Sequence, residues 1–310
     1  MSKQARTAYK IRNWSKYNEA LVNRYDITFW FSDEILSQWK HENKYPGQGR
    51  PFTYSDLAIE TLLTMRELFQ LPYRGTEGFG RWVFQRMQLD LPIPNYTALC
   101  KRASALDICI TLKKKSGKID IIVDSTGLKV FGEGEWKTRT HGKSKRRTWR
   151  KLHLLIDAES QEIVAEVLTE NDVHDSEEVS PLLKQVRNKV GRFYGDGAYD
   201  SWGVRGQLNK RGIEQVIPPR KDAVIKQHGN RKEPRLERDE AVRGIRKYGR
   251  KGWKERIGYH RRSLVETAMS RLKKIFGGKL KNRIIENQKA ESRIRCKILN
   301  HFTKLGMPEH

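Results

Sequence analysis

Apolar positions along the chain change their period near residue 118, and that change divides it. Residues 15–25 and 32–41 predict two short helices. From Thr53 the spacing of Leu57, Leu62, Leu63, Met65 and Leu68 predicts a helix ending near Leu71 and Pro72. A second helix is expected over 76–89, with Phe79, Trp82, Val83, Phe84 and Met87 in it and Trp82 read as core. A third follows Pro94, with Asn95 as its N-cap and Tyr96, Leu99, Lys101 and Arg102 inside. At Lys118 the period becomes that of strands. Residues 119–131 form a β-branched run expected to end near Asp124, and strands over 149–156 and 162–168 are joined by a turn at 157–161. Pro181 favours a helix start at Ser180. A short strand beginning at Val190 should run out into a Gly-rich turn holding Asp196. A helix to Lys210 and a strand over 214–217 complete the alternation. Periodicity then fails over 218–258, which reads as a basic excursion of loops. Residues 259–273 return to helix, Gly277 and Gly278 break it, and a last helix carrying Ile294, Ile298, Leu299, Phe302 and Leu305 ends at Gly306.

The predicted organisation is a helical N-terminal region, 1–115, followed by an α/β domain, 118–310. Within the first, 53–106 fits a helix-turn-helix module for DNA or a plain helical bundle serving dimerisation. Loops are expected at 44–51, and Lys113, Lys114, Lys115 and Gly117 mark a linker. Charge sharpens this picture: 62 Lys and Arg against 37 Asp and Glu leave +25 on 310 residues. Such a balance attracts polyanions, nucleic acid foremost. A hydrophobic content of 37% and eight Trp argue for a true core rather than a basic packing protein. Cys100, Cys109 and Cys296 form no metal-type pair and read as reduced thiols. The basic start of the chain is followed by no apolar segment and no run is long enough to cross a bilayer, so a cytoplasmic protein is expected. The dense run Lys143, Lys145, Arg146, Arg147, Arg150 and Lys151 reads either as a solvated loop or as a DNA contact.

Candidate chemistry lies on the 259–273 helix. At about 100° per residue, Tyr259, Arg262, Glu266 and Lys273 fall within roughly 60° of one another, beside an apolar arc of Val265, Ala268, Met269 and Leu272. Arg262 and Glu266 alone could be a surface ion pair. Asp124 and Asp196, each at an expected strand end, could alone be turn residues. Together the three carboxylates form a hard oxygen set suited to Mg²⁺ or Mn²⁺. The element order is that of a ribonuclease H-like fold, with a mixed five-stranded sheet and flanking helices, in which such side chains converge at one sheet edge. Trp253 could stack on a displaced base or anchor a loop, and His174 and Asp175 could assist the site or cap and pack.

Tyr259, Arg262, Glu266 and Lys273 satisfy Y-x2-R-x3-E-x6-K, and the blocks DSTGLKVF, NDVHDSEEV and YGDGAYDS precede them in order. In this the chain resembles the DDE transposases of bacterial insertion sequences, specifically the insertion sequence five family, from residue 53 to residue 300. The resemblance implies that Asp124, Asp196 and Glu266 are catalytic ligands of two Mg²⁺ ions, with Mn²⁺ as a substitute, and that Tyr259, Arg262 and Lys273 contact DNA near the cleaved end. It further implies a bacterial, nucleoid-associated enzyme that binds the inverted repeats of its element, cuts there and joins 3′-OH ends to target DNA. Its partner is double-stranded DNA, and pairing two ends calls for a homodimer or larger oligomer.

Overall fold

The structure, a computed structural model, describes residues 10–42, 52–110, 117–130, 149–227 and 236–309. The expected loop at 44–51, Lys113 to Lys115 of the linker, and Lys143, Lys145, Arg146 and Arg147 of the basic run lie outside the described residues. The chain forms two compact units: Met1–Arg102 with Ile298–His310, and Ala103–Lys297. The sequence division near 115–118 differs in two respects: it gave residues 103–115 to the N-terminal region and the last turns of the final helix to the α/β domain.

The first unit holds α1 (Trp14–Asn23), a 3-10 turn (Ile27–Trp30), α2 (Asp33–Ser37), α3 (Asp56–Leu68), α4 (Tyr73–Arg86) and α5 (Tyr96–Ala103). The expected cap at Asn95 forms, and Ser55 caps α3 in the same way. Ser55 Oγ accepts from the Ala58 amide at 3.1 Å, and Asn95 Oδ1 accepts from the Ala98 amide at 2.8 Å. Helix α2 is shorter than predicted because Trp39 leaves the helix for the core, where it is fully buried 4.8 Å from the Phe84 ring. Its indole donates to the Pro92 carbonyl at 2.8 Å, and the Tyr54 phenol donates to Ile93 O at 3.1 Å. These two bonds fix residues 87–95, a connection longer than the tight turn expected between α4 and α5. Trp82 is half exposed rather than core, because its neighbours Val83 and Phe84 take the buried side of α4.

The second unit is built on a mixed sheet of β1 (Ile119–Val130), β2 (Trp149–Asp157), β3 (Ile163–Glu170), β4 (Val190–Tyr194) and β5 (Glu214–Val216). Their order is β3-β2-β1-β4-β5. The β1–β2 and β2–β3 pairs are antiparallel, and the β1–β4 and β4–β5 pairs are parallel. A short β6 (Lys279–Leu280), which the sequence did not announce, pairs with the far end of β1. Helices α6 (Val179–Gln185) and α7 (Trp202–Lys210) share a core with Ile119, Ile121, Val123, Leu155 and Phe193. The remaining helices are α8 (Glu237–Arg256), α9 (Ser263–Phe276) and α10 (Ile285–Leu305). Among the described residues no helix is long and apolar enough to cross a membrane.

Three expectations are corrected here. Strand β1 does not end near Asp124. It continues to Val130 because β2 goes on pairing with it, from Asp124↔Leu154 to Lys129↔Trp149. Gly127 permits this, as a Cβ there would lie 3.2 Å from the Trp149 ring. Residues 259–273 are not one helix: Gly258 is left-handed (φ 66), Tyr259–Arg262 is a 3-10 turn, and α-helix starts at Ser263. The excursion at 218–258 is largely the helix α8, bent at Gly249 (φ 70, ψ 162) so that Trp253 in its second arm packs over Gly244 in its first. Periodicity failed there because two short arms meet at an angle. Buried carboxylates pin the excursion to the unit. Asp200 accepts from Arg205 Nε at 2.7 Å, Arg238 Nε at 3.1 Å and the Arg220 amide at 2.9 Å, while Asp239 accepts from the Gln227 amide at 2.7 Å.

A methyl group at Gly244 would come within 2.6 Å of Trp253 Cδ1. Gly244→Ala should therefore lower stability by about 1–3 kcal/mol and shift the Trp253 emission to the red, as urea unfolding followed by fluorescence would record. An unchanged spectrum would mean that the arms do not pack.

Candidate active site

Strand β4 stops at Tyr194 while β1 runs on, so a carboxylate at position 124 stands beyond the last parallel pair, Ile122↔Tyr194. Asp196 emerges just past the end of β4. Its Oδ1 accepts from the Ala198 amide at 2.8 Å and caps the 3-10 turn Gly197–Tyr199. Glu266 lies in the first turn of α9, where the positive end of the helix favours a carboxylate. Below it Val265, Ala268, Met269, Leu272 and Phe276 are buried as α9 packs on β1 and β2.

Arg262, just before α9, ties this edge together. Its Nη1 donates to Asp124 Oδ2 at 3.0 Å, and its Nη2 pairs with Glu266 Oε1. It forms the ion pair with Glu266 that the helical spacing allowed, and so bridges two of the three carboxylates, because its position ahead of the helix brings its fork between them. Burial raises the Asp124 pKa above the ordinary carboxylate range. The Ser125 amide and Arg262 oppose that rise, while the charges of Asp196 and Glu266 add to it. The half-buried Tyr259 also holds its proton more tightly than a free phenol. Burial is the main cause, Arg262 opposes it, and the three carboxylates reinforce it. Burial works against the charge of Arg262 and is outweighed by Tyr259 and the same carboxylates. An open groove of about 510 Å³ is lined by Asp124, Thr126, Glu266, Lys273 and Lys274.

Three carboxylates without histidine or cysteine are a hard donor set, and the excess of negative charge felt by Asp124 suits a small divalent cation. As arranged, however, no group of three Asp, Glu, His or Cys among the described residues is gathered closely enough to hold an ion. The Arg262 guanidinium stands between two of the donors.

Other expected DNA contacts are engaged within the chain. Arg150 pairs with Glu170 and donates to Gln288 Oε1 at 2.9 Å, and Lys151 Nζ lies 3.1 Å from Asp175 and 2.7 Å from the Val173 carbonyl. Arg102 pairs with Asp56, donates to Tyr54 O at 3.0 Å and lies over the Phe52 ring, and Lys101 sits beside it in the last turn of α5. Trp253 is buried and leaves no face for a base. His174 accepts or donates locally with Ser176 Oγ at 2.7 Å. Two residues that the sequence reading passed over stand behind the site. His153 on β2 is fully buried, with Nε2 3.0 Å from Thr169 Oγ1 and Nδ1 3.6 Å from Asp175 Oδ1. Tyr199 is buried, and its phenol pKa is raised by burial and by Asp175, Asp124 and Asp196. A histidine inside the apolar run LHLLI was the available signal for the first.

Residues 115–301 match the family model described as Transposase DDE domain, and residues 22–133 match a second model of the same description. The chain belongs to the transposase DDE domain family. Among solved structures, the DDE-family chain is similar to the piggyBac transposase synaptic complex with hairpin DNA, at 13% identity and TM-score 0.40, over 94% of this chain and 77% of that one. It is also similar to the Mos1 mariner paired end complex with Mn, at 10% identity and TM-score 0.23, over 96% and 88% of the two chains.

Burial lowers the pKa of His153 from its ordinary 6.5 to about 4, with Asp175 opposing and Lys151 adding to the shift. As pH falls from about 6.5 to about 4 the unfolded chain takes up a proton that the folded chain refuses. Stability should therefore decline over that window, by up to about 1.4 kcal/mol per pH unit from this group. Urea midpoints measured from pH 7 to pH 4 should fall less steeply in His153→Gln than in the native chain; parallel slopes would refute the assignment.

Proposed function

We propose that this DDE-family chain is a DNA transposase of the insertion sequence five type, which binds the terminal inverted repeats of its element, cleaves at the ends and joins the 3′-OH ends to target DNA. The observation that carries the proposal is the meeting of Asp124 from β1, Asp196 from the end of β4 and Glu266 from α9 at one sheet edge, within electrostatic reach of one another and beside Arg262, Tyr259 and Lys273. A ribonuclease H-like reading of the fold is supported by the mixed sheet in the order β3-β2-β1-β4-β5. In this reading the helical N-terminal region contributes to end recognition, and two chains act together when two ends are paired.

Mg²⁺ or Mn²⁺ held by Asp124, Asp196 and Glu266 would polarise the scissile phosphate and the oxygen that attacks it. The rest is work for the chain's own groups. Tyr259, whose neighbourhood keeps the phenol protonated, donates a hydrogen bond to a phosphate oxygen. Lys273 and Lys274 line the groove and balance phosphate charge. Arg262 exchanges its two carboxylates for DNA phosphate when DNA arrives, which opens the gap between Asp124 and Glu266.

Asp124→Asn, Asp196→Asn and Glu266→Gln should each reduce cleavage of end DNA on the order of a thousand-fold, with DNA affinity retained in a gel-shift assay. Cleavage that survives any one of them would remove that residue from the triad. Pre-cut ends incubated with a plasmid target should give joined products, whereas hydrolysis alone would make the protein a nuclease. A second expectation concerns Arg262. Without DNA, Arg262→Gln should bind Mn²⁺ about tenfold more tightly by titration of the free-ion spectrum, the equivalent of removing one competing charge-assisted contact. Equal affinity would mean that the arginine does not guard the gap.

A further inference from the structure

The bent helix α8 separates its charges. Its acidic residues are committed near its start: Glu237 accepts from the Gln215 amide at 2.8 Å, Asp239 from the Gln227 amide at 2.7 Å, and Glu240 pairs with Arg243 at 2.7 Å. From 243 to 256 the sequence carries Arg243, Arg246, Lys247, Arg250, Lys251, Lys254 and Arg256 against a single carboxylate, Glu255. Arg246, Lys247, Lys251 and Arg256 are exposed. The bend at Gly249 brings the two arms together around an exposed ring: Arg256 Cζ lies 4.1 Å from the centre of Tyr248, and Lys247 Nζ lies 5.1 Å from it. Two cations held against one phenol, in an arm that carries one carboxylate for seven cations, leave an excess of positive charge at the surface that an external anion can balance. This surface is also continuous with the candidate site. Lys254 Nζ sits 4.7 Å from the Tyr259 ring, and three residues later Arg262 reaches Asp124.

We propose that the α8 elbow, with Arg246, Lys247, Lys251 and Arg256 arranged around Tyr248, is a docking surface for the phosphodiester backbone of duplex DNA entering or leaving the groove, independent of base sequence. The inference rests on the reading of the chain as a DNA transposase and extends it to a surface outside the triad. Its occupant follows from charge and shape: a row of cations on a bent element matches a regularly spaced polyanion, and Tyr248 is the one large apolar side chain exposed among them. Tyr248 contributes no net charge. Its part is to fix Lys247 and Arg256 in place.

The test measures affinity of the full chain for a duplex carrying the element end and for a scrambled duplex of equal length, across a series of salt concentrations. The triple variant Arg246→Ala/Lys247→Ala/Lys251→Ala should bind both duplexes more weakly, by the same factor, and reduce the slope of log affinity against log salt by about two to three. Tyr248→Ala should weaken both by about two- to five-fold and leave the slope unchanged. An unaltered slope in the triple variant, with an unaltered circular dichroism spectrum, overturns the proposal. So does a loss confined to the end sequence, which would make the elbow a base reader. Cleavage of ends by the native chain is scored in parallel. If the native chain cleaves and the triple variant matches it in binding, only the elbow is refuted; if the native chain binds but neither cleaves nor joins, the transposase reading itself fails.

Discussion

The unequal length of two neighbouring strands is the constraint from which the candidate site follows. Strand β1 has twelve residues and β4 has five, so the parallel pairing stops at Tyr194 while β2 holds β1 straight on its other side. Between that point and the short pairing with β6 at Lys129, one flank of β1 is open. Asp124 lies at this stretch, and Arg262 reaches its carboxylate. Asp196 arrives at the same flank by the end of β4, and α9 closes it from outside with Glu266. Three acidic groups so placed repel one another, and one guanidinium placed between two of them relieves that repulsion in the unliganded chain.

Much of this was legible in the residues. The alternation of strand and helix from Ile119 onward follows from β-branched runs broken by turn residues, and the cap at Asn95 forms as its side chain demands. Asp124 and Asp196 were visible because each fell at an expected strand end, and Glu266 because it shared one helical edge with Tyr259, Arg262 and Lys273. What was not legible depended on partners distant in sequence. That β1 outlasts Asp124 is decided by β2, and by the space Gly127 leaves for Trp149. That Tyr259 sits on a 3-10 turn is decided by the left-handed Gly258, a choice open to any glycine. Helix α8 was missed because a bend at Gly249 splits its apolar period, and Trp82 was misplaced because two adjacent apolar residues compete for one buried side.

The charge of +25 is distributed in a way that composition alone does not express. Several basic residues expected to face DNA are satisfied inside the chain: Arg102 by Asp56, Arg150 by Glu170, Lys151 by Asp175. Among the described residues, exposed cations stand on other elements, notably the elbow of α8, and Lys273 and Lys274 line the groove. A basic run in a sequence reports the presence of cations; which of them are free is settled by the carboxylates that fold next to them.

Asp200 gives this arrangement a mechanical side. It lies four residues beyond Asp196, at the end of the same 3-10 turn, and both its oxygens are held by Arg205 and Arg238, the latter from the first turn of α8. One buried carboxylate thus joins the backbone that presents Asp196 to the base of the elbow. Local opening of α8 would strip that buried charge of one of its two arginine partners, so the two regions should tend to open and close together rather than breathe separately. A load applied to the elbow, such as a DNA strand pulling on it, would then be felt within a few residues of the acidic edge.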